Sequence, residues 1–439
     1  MRGLILALTM TGLLSMAIRR PMVGVIAFEW ISFMNPQQDA WGGILANLPW
    51  AMLAALATII GCLISGESKR VSIDGMTILI VLFLSLISLG SVAALGPPDI
   101  VNSLYWIVFK SFAFLLVVAL LLSDQKRVNA LVWVMVISLG YYGVKGGIFT
   151  ILTGGRNHVY GSANSMIGDN NQLAVALLMT LPLMNYLRVS SAHRIVRFGL
   201  SVAMLLTFFS VLGSYSRGAF IALAAVAVLF WWNSRSKLLI GAALVAALYA
   251  GINFMPQTWV QRMGTISTYH EDNSAEDRLI VWHEALSLAL ARPLTGAGFA
   301  GTQTPSVLHR FFPTANVRAV HSIWLQVLSD NGFPAFFVWV GMQILGFVNI
   351  RRIRRMAKGV AAARWAEDLA KMAEVSMVAF LVGGSFLSLG YYDYEFTILI
   401  ALAATRRIVG LKARDVSRFA SDPSGTGYGS LWRQRRVVQ

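Results

Sequence analysis

The stretch MTILIVLFLSLISLGSVAAL, residues 76–95, runs for 20 residues without a charged side chain. A helix of about 20 apolar residues is long enough to cross the hydrocarbon core of a bilayer. Comparable runs begin near residues 3, 21, 48, 101, 128, 171, 198, 218, 238, 334, 374 and 396. The sequence therefore predicts an all-α, polytopic membrane protein with about 12 transmembrane helices.

The composition agrees with this class. Of the 439 residues, 56% are hydrophobic and 13% are charged, whereas soluble domains carry about 25% charged residues. A transmembrane β-barrel would show segments of about ten residues with alternating polarity, and this pattern does not recur along the chain. The single cysteine, Cys62, rules out an intramolecular disulfide.

The net charge of +16 would suggest a nucleic-acid partner in a soluble protein. Here the basic residues cluster in every second short loop, as in RRIRRMAK at 351–358. Cytoplasmic loops of membrane proteins carry such an excess of Lys and Arg. We therefore expect no nucleic-acid partner, a multi-pass protein of the inner membrane, and a cytoplasmic C-terminus.

The chain divides into four predicted regions. Residues 1–255 form an N-terminal transmembrane bundle, 256–320 a large outside loop, 321–410 the C-terminal transmembrane helices, and 411–439 a cytoplasmic tail. Arg19 and Arg20 split the first apolar segment, which leaves 12 or 13 spans open and favours an uncleaved anchor over a signal peptide.

The large loop contains the stretch SAEDRLIVWHEALSLALARPL, which predicts an amphipathic helix. Leu279, Trp282, Leu286 and Leu290 recur at spacings of three and four residues. Ser274 and Asp277 resemble a capping box, with Asp in place of Glu or Gln. We expect this loop to hold short helices outside the membrane.

Two arginines stand next to apolar runs on the outside face. Arg217 lies in the turn GSYSRG, and Arg278 lies on the predicted loop helix. Each has a structural interpretation, as an interfacial arginine or an ion-pair partner. The alternative is phosphate recognition, because the planar guanidinium offers paired donors to phosphate oxygens.

His321 follows the polar loop and precedes the apolar run that re-enters the membrane. A lone histidine at a helix start is commonly structural, but a neutral imidazole at this boundary can accept a proton from a hydroxyl group. Asp169, Asn170 and Arg318 are further candidates for substrate binding. For Asp169 and Asn170, capping of the following helix is the competing interpretation.

No metal site is predicted. The segment WHEAL at 282–286 begins like a zinc-protease helix, but Ser287 stands where the second histidine would be.

Several of these residues form a recognisable pattern. It consists of SRG at 216–218, R-x3-W-x2-A at Arg278, Trp282 and Ala285, PLTGAGF at 293–299, and His321 followed by Leu325, Leu328 and Gly332. In this order, with the large loop between many spans, the chain resembles the O-antigen ligase and polymerase superfamily of bacterial inner-membrane glycosyltransferases. Residues 28–37, FEWISFMNPQ, also resemble a subgroup associated with exosortase systems and described as O-glycosylation ligases.

The resemblance implies a GT-C-like helical fold and a periplasmic active site. It implies transfer of a glycan from undecaprenyl diphosphate, with inversion and without metal or cofactor. Arg217 and Arg278 would hold the diphosphate, and His321 would activate or orient the acceptor hydroxyl. Lipid A-core is the acceptor we expect, with a protein hydroxyl or a growing polysaccharide as alternatives. A transporter of lipid-linked glycans is the alternative outside the enzymes.

Overall fold

The computed structural model describes residues 2–39, 48–67, 73–233, 236–266 and 273–420. Within these ranges all regular structure is helical, with 17 α-helices and two short 3-10 helices. The prediction of an all-α protein is confirmed for this part of the chain. A helix satisfies its backbone polar groups within one segment, which crossing a bilayer requires.

Short connections join most of the helices. In chain order they are α1 (Arg2–Arg19), α2 (Pro21–Met34), α3 (Pro36–Asp39), α4 (Trp50–Ile64), α5 (Gly75–Val92), α6 (Pro98–Leu121), α7 (Gln125–Leu152), α8 (Asn170–Ser190), α9 (Arg194–Gly213), α10 (Arg217–Asn233), α11 (Lys237–Phe254), α12 (Gln257–Gly264), α13 (Asn273–Ala291), α14 (Pro305–Phe311), α15 (Ile323–Ala357), α16 (Arg364–Gly384) and α17 (Asp393–Ala420). The 3-10 helices are Gly301–Gln303 and Ala361–Ala363.

Over the described ranges, eight helices are long and apolar enough to cross a membrane: α1, α5, α6, α7, α8, α9, α11 and α15. The helices α2, α4 and α10 are apolar but shorter. These helices support a membrane protein. The count of twelve spans and the position of the large loop outside the membrane stay predictions.

The helix α8 lies at the centre of the bundle. Most of its side chains are buried, and it packs against α7, α9, α10 and α16. The hydroxyl of Thr180 lies 3.0 Å from that of Tyr394 on α17, and the Ser376 hydroxyl on α16 donates to the Met179 carbonyl at 2.6 Å. Buried polar groups cost free energy without such partners, so these bonds favour one arrangement of the three helices.

The long helix α15 is interrupted near its start. Gly332 has φ +76° and ψ 178°, and Pro334 follows. Because proline lacks an amide hydrogen, it favours a break in the helical hydrogen-bond ladder. The apolar run predicted to begin near residue 334 is therefore the second part of α15, and His321 lies directly before the first part.

The loop helix predicted from the sequence is present as α13, but its buried face differs from the expected leucine stripe. Leu279 and Leu290 are 55% and 62% exposed, whereas Ala285 and Ala289 are fully buried. Val281 and Leu288 are buried together with these alanines, so the packed face is offset from the predicted stripe.

Some predicted features lie outside the described residues. They are the basic pair Lys69-Arg70, the side chain of Ser274 in the proposed capping box, and residues 421–439 of the predicted tail. The helix α17 continues past residue 410 to Ala420. The four predicted regions stay a prediction.

Candidate active site

His321 occupies the turn before α15, with its backbone in the left-handed region at φ +49°. Its amide donates a 3.0 Å hydrogen bond to the Ser388 hydroxyl, in the connection between α16 and α17. The Trp282 indole on α13 donates to the carbonyl of Val320 at 2.9 Å. A left-handed backbone costs about 1–2 kcal/mol for a residue other than glycine, so these contacts from two sides stabilise an unfavourable conformation.

The structure brings His321, Arg278 and Arg318 together. The three side chains line a cavity of about 310 Å³ between α13 and the turn before α15, with Asp277, Val281 and Ala319 completing the wall. Arg318 forms an ion pair with Asp277. Two of the predicted binding residues, Arg278 and Arg318, therefore share one cavity with the predicted base. Arg278 lies 40 or more positions before the other two residues in the sequence.

Arg217 is the first residue of α10 and does not line this cavity. Its guanidinium donates to the Thr265 hydroxyl at 3.0 Å. The positive charges of Arg262 and Arg278 both act on it. The two predicted diphosphate ligands thus belong to one cationic cluster, which includes a third arginine.

Arg262, on α12, is the member of this cluster that the sequence interpretation missed. Its Nε donates to the carbonyl of Tyr215 at 3.0 Å, in the turn that also carries Arg217. Trp259 lies three residues earlier, is buried, and donates to the Leu212 carbonyl at 2.9 Å. The i, i+3 spacing of Trp259 and Arg262 puts both on one helix face, and this spacing is the signal that could have identified Arg262.

The electrostatic environment of His321 favours its neutral form. Burial lowers the pKa of its imidazole, and the charge of Arg278 lowers it further, while Asp169 acts in the opposite direction. A histidine with a lowered pKa stays neutral at neutral pH. It can therefore accept a proton or a hydrogen bond from a hydroxyl group.

Neither Asp169 nor Asn170 lines the cavity described above or the second cavity that His321 borders, which is described below. Asp169 caps α8 by accepting a 2.8 Å hydrogen bond from the amide of Asn171. Asn170 is buried and donates to the Ser214 carbonyl at 2.6 Å. Asp169 thus makes the helix-capping contact that was the competing interpretation for it. Asn170 links α8 to the turn before Arg217 by its hydrogen bond.

A second and larger cavity, of about 610 Å³, lies against His321. Its polar lining includes Gln326 and Asp330 on α15 and Tyr392 and Asp393 near the start of α17. The sequence interpretation did not single out these four residues. Asp330 accepts a 2.9 Å hydrogen bond from Tyr391, and Asp393 accepts one from Ser32 on α2.

The glycines of the PLTGAGF segment explain how it reaches the break in α15. Gly296 and Gly332 both have positive φ, of 66° and 76°. A Cβ on Gly296 would lie 2.5 Å from the Asp330 backbone, and one on Gly332 would lie 2.7 Å from that of Pro293. Only glycine allows two backbones to approach so closely. This contact joins the PLTGAGF segment to the break in α15.

Comparison with known families gives matches for two parts of the chain. Residues 202–340 match a family model described as O-Antigen ligase. The chain carries an O-antigen ligase domain. Residues 1–192 match a model described as a family of unknown function, DUF5935. Among curated proteins, no match to the chain was found.

The O-antigen ligase domain confirms the resemblance to that superfamily and supports a glycosyltransferase of the ligase or polymerase type in a membrane. It contains Arg217, Arg262, Arg278, Arg318 and His321. Asp169 and Asn170 lie in the segment of unknown function. The match to this domain also implies a lipid-linked glycan as the kind of substrate.

Proposed function

We propose that the protein transfers a glycan from undecaprenyl diphosphate to a hydroxyl group of lipid A-core, at the periplasmic face of the bacterial inner membrane. The observation that carries this proposal is the shared cavity of His321 and Arg278, with Arg217 and Arg262 in electrostatic contact with Arg278 or with each other. A neutral imidazole beside several guanidinium groups suits a reaction that expels a diphosphate.

In the proposed reaction the arginine cluster binds the diphosphate of the donor. Negative charge grows on the departing oxygen as the bond to the sugar breaks, and fixed cations stabilise that charge. Arg278 lines the same cavity as His321, and its charge acts on the imidazole. Arg217 and Arg262 complete the binding of the two phosphates, the role that metal ions have in other transferases.

The acceptor hydroxyl then attacks the anomeric carbon from the face opposite the diphosphate. A new carbon–oxygen bond forms, the bond to the phosphate oxygen breaks, and its electron pair leaves with undecaprenyl diphosphate. The acceptor proton passes to the neutral imidazole of His321. A single displacement of this kind inverts the anomeric configuration.

The proposed orientation rests on α15 and on the distribution of basic residues. His321 lies two residues before α15 begins, and the basic segment at 351–358 lies at its other end. The part after the break, from Pro334 to Ala357, rises about 36 Å, more than the hydrocarbon thickness. The proposal therefore puts the basic end in the cytoplasm and His321 at the periplasmic face, with a cytoplasmic C-terminus.

Two other acceptors and one other class of protein compete with this proposal. Transfer to a protein hydroxyl or to a growing polysaccharide would use the same donor chemistry. A transporter of lipid-linked glycans would also bind the diphosphate, but it has no evident need for a base at His321.

Purified protein tests the proposal directly. Incubation with a polyprenyl-diphosphate glycan and lipid A-core should yield glycosylated lipid A-core with wild type and not with His321→Ala, while both bind the donor. Failure with lipid A-core together with transfer to a peptide or a polysaccharide would replace the acceptor. Donor translocation across vesicles without transfer to any acceptor would indicate a transporter.

A further inference from the structure

The larger cavity beside His321 is built mainly by the segment of unknown function. Residues of α2, α3, α4, α6 and the loop before α8 supply more than half of its lining, all of them between Ile31 and Gln172. The O-antigen ligase domain supplies the wall that carries His321 and Asp330. The segment of unknown function therefore contributes directly to the space next to the proposed base.

The wall of this cavity carries several polar groups. Asp393 and Ser32 are hydrogen-bonded to each other on its wall. Tyr392 is 3% exposed, and its hydroxyl has no hydrogen-bond partner among the described residues. The Oε1 of Gln37, which also lines the cavity, is likewise buried without a partner in the described part of the chain. Unpartnered buried polar atoms are uncommon and call for an explanation such as a ligand or water.

An apolar groove of about 560 Å³ lies between α2, α4 and α6, with Lys110 as a charged residue in its lining. Five residues line both the cavity and the groove, so the two adjoin each other: Ser32, Gln37, Ala51, Ile107 and Ser111. Phe28, Trp50, Trp106 and Phe114 provide aromatic walls. Thus a polar chamber, the cavity that His321 borders, adjoins an apolar groove that is lined by residues 28–117 of the segment of unknown function.

We propose that residues 1–192, together with the start of α17, form the acceptor side of the active site, for a saccharide attached to a lipid. The polar chamber binds the sugar, with Asp393, Ser32 and Gln37 as hydrogen-bonding groups, and the groove between α2, α4 and α6 holds a hydrocarbon chain of the lipid. This inference rests on the proposed function, and it assigns a role to the segment of unknown function.

The acceptor, rather than the donor, fits this chamber because the two cavities that His321 borders carry different charged groups. The smaller cavity carries Arg278 and Arg318, which suit a diphosphate. Among the described residues, the lining of the larger cavity includes no Lys or Arg and carries the buried carboxyl groups of Asp330 and Asp393. It therefore offers no cation to a diphosphate, whereas its carboxyl groups can accept hydrogen bonds from sugar hydroxyls. A sugar held there lies next to His321, which borders both cavities.

A photo-crosslinking experiment tests the groove without relying on turnover. The probe is dodecyl maltoside with a diazirine in its alkyl chain, added to the full-length protein, and the labelled peptides are identified by mass spectrometry. We expect label on α4 and α6, at residues such as Ala55 and Ile107, and we expect lipid A-core to displace it. Label spread over the whole apolar surface, or label that lipid A-core does not displace, overturns the inference.

Variants test the same site in the transfer reaction. Ala55→Trp fills the groove and should raise the KM for lipid A-core by about tenfold, because it removes contact with about two methylene groups. Leu63→Trp, at a 79% exposed position of the same helix, is the matched control. Asp393→Asn should raise the same KM with donor binding unchanged.

The outcomes separate this inference from the proposed function. Unchanged KM values in active Ala55→Trp and Asp393→Asn proteins would overturn the acceptor site and leave the ligase. Displaceable label on α4 and α6 without glycan transfer would support the lipid-linked saccharide site and count against the ligase. Equal transfer to a soluble peptide, with no displacement of label by lipid A-core, would overturn the lipid acceptor.

Discussion

The amide of His321 donates a 3.0 Å hydrogen bond to the hydroxyl of Ser388, 67 residues further along the chain. The bond uses the backbone of His321 and leaves both ring nitrogens available for other groups. Because His321 has φ +49°, its position depends on contacts of this kind. Backbone geometry and side-chain chemistry at this residue can therefore be tested separately.

Replacing His321 by Asn removes the imidazole but keeps a residue that tolerates the left-handed backbone. We expect His321→Asn to fold like wild type and to lose about 10²–10⁴-fold in turnover, the usual contribution of a general base. The measurement is kcat with saturating donor and acceptor, together with thermal unfolding. Full turnover in a folded His321→Asn protein would remove the proposed base.

The pH dependence should respond to Asp169. Burial and Arg278 lower the pKa of His321, and Asp169 raises it, so the neutral base persists below about pH 6.5. Activity is then present above the lowered pKa and is lost as the pH falls through it. Asp169→Asn keeps the helix cap but removes the charge, so the acidic limb of the kcat/KM profile should move to lower pH. Asp74→Asn, at the cap of α5, should leave it in place, and a shift in both variants would contradict this assignment.

Arg262 should contribute to donor binding although the sequence interpretation missed it. Hydrogen bonds to charged groups contribute about 1.5–3 kcal/mol, so Arg262→Ala should weaken binding of the polyprenyl-diphosphate donor by about 10–100-fold. Arg262→Lys should restore part of this loss, because lysine keeps the charge without the planar fork. Arg310→Ala, at an exposed site on α14, is the control. Equal donor affinity in Arg262→Ala and wild type would exclude Arg262 from the site.

Gly332 should be essential for stability. Its backbone, at φ +76° and ψ 178°, lies in a region that is essentially restricted to glycine and costs other residues about 1–3 kcal/mol. An added Cβ would also meet the Pro293 carbonyl at 2.7 Å. We expect Gly332→Ala to melt at a lower temperature in detergent, while Gly199→Ala, with open space around its Cβ, should be neutral or slightly stabilising. Similar melting of both variants would contradict the close backbone contact.

Activity should survive EDTA. The proposed reaction relies on guanidinium groups to stabilise the leaving diphosphate, and their charge is independent of divalent cations. Glycan transfer should proceed at the same rate with chelator and with added Mg²⁺. A loss of rate in EDTA that Mg²⁺ restores would count against the metal-free mechanism.

The helical fold could be predicted from the sequence because apolar length is a local property. The runs beginning near residues 101, 128 and 171 correspond to α6, α7 and α8 within a few residues. The orientation of α13 could not be predicted in this way. The predicted stripe has helical spacing, but the packed face is offset from it and is formed by Val281, Ala285, Leu288 and Ala289.

The site was predictable only in part. Arg278 and His321 stood out because each borders an apolar run, and the fold brings them to one cavity. The chamber formed by Ser32 and Asp393 joins residues 361 positions apart. Spacing along the chain carries no signal for such a pair, since the contact arises from the packing of α2 against α17.

One helix, α13, carries Arg278 and also holds the residue before His321 through the bond from Trp282 to Val320. A tilt of this helix would move both Arg278, the proposed diphosphate ligand, and the backbone next to His321, the proposed base. Binding of the donor is thus coupled to the position of the group that activates the acceptor. The ion pair between Asp277 on α13 and Arg318 is a second link of the same kind, so the helix is joined to the segment before His321 at two points.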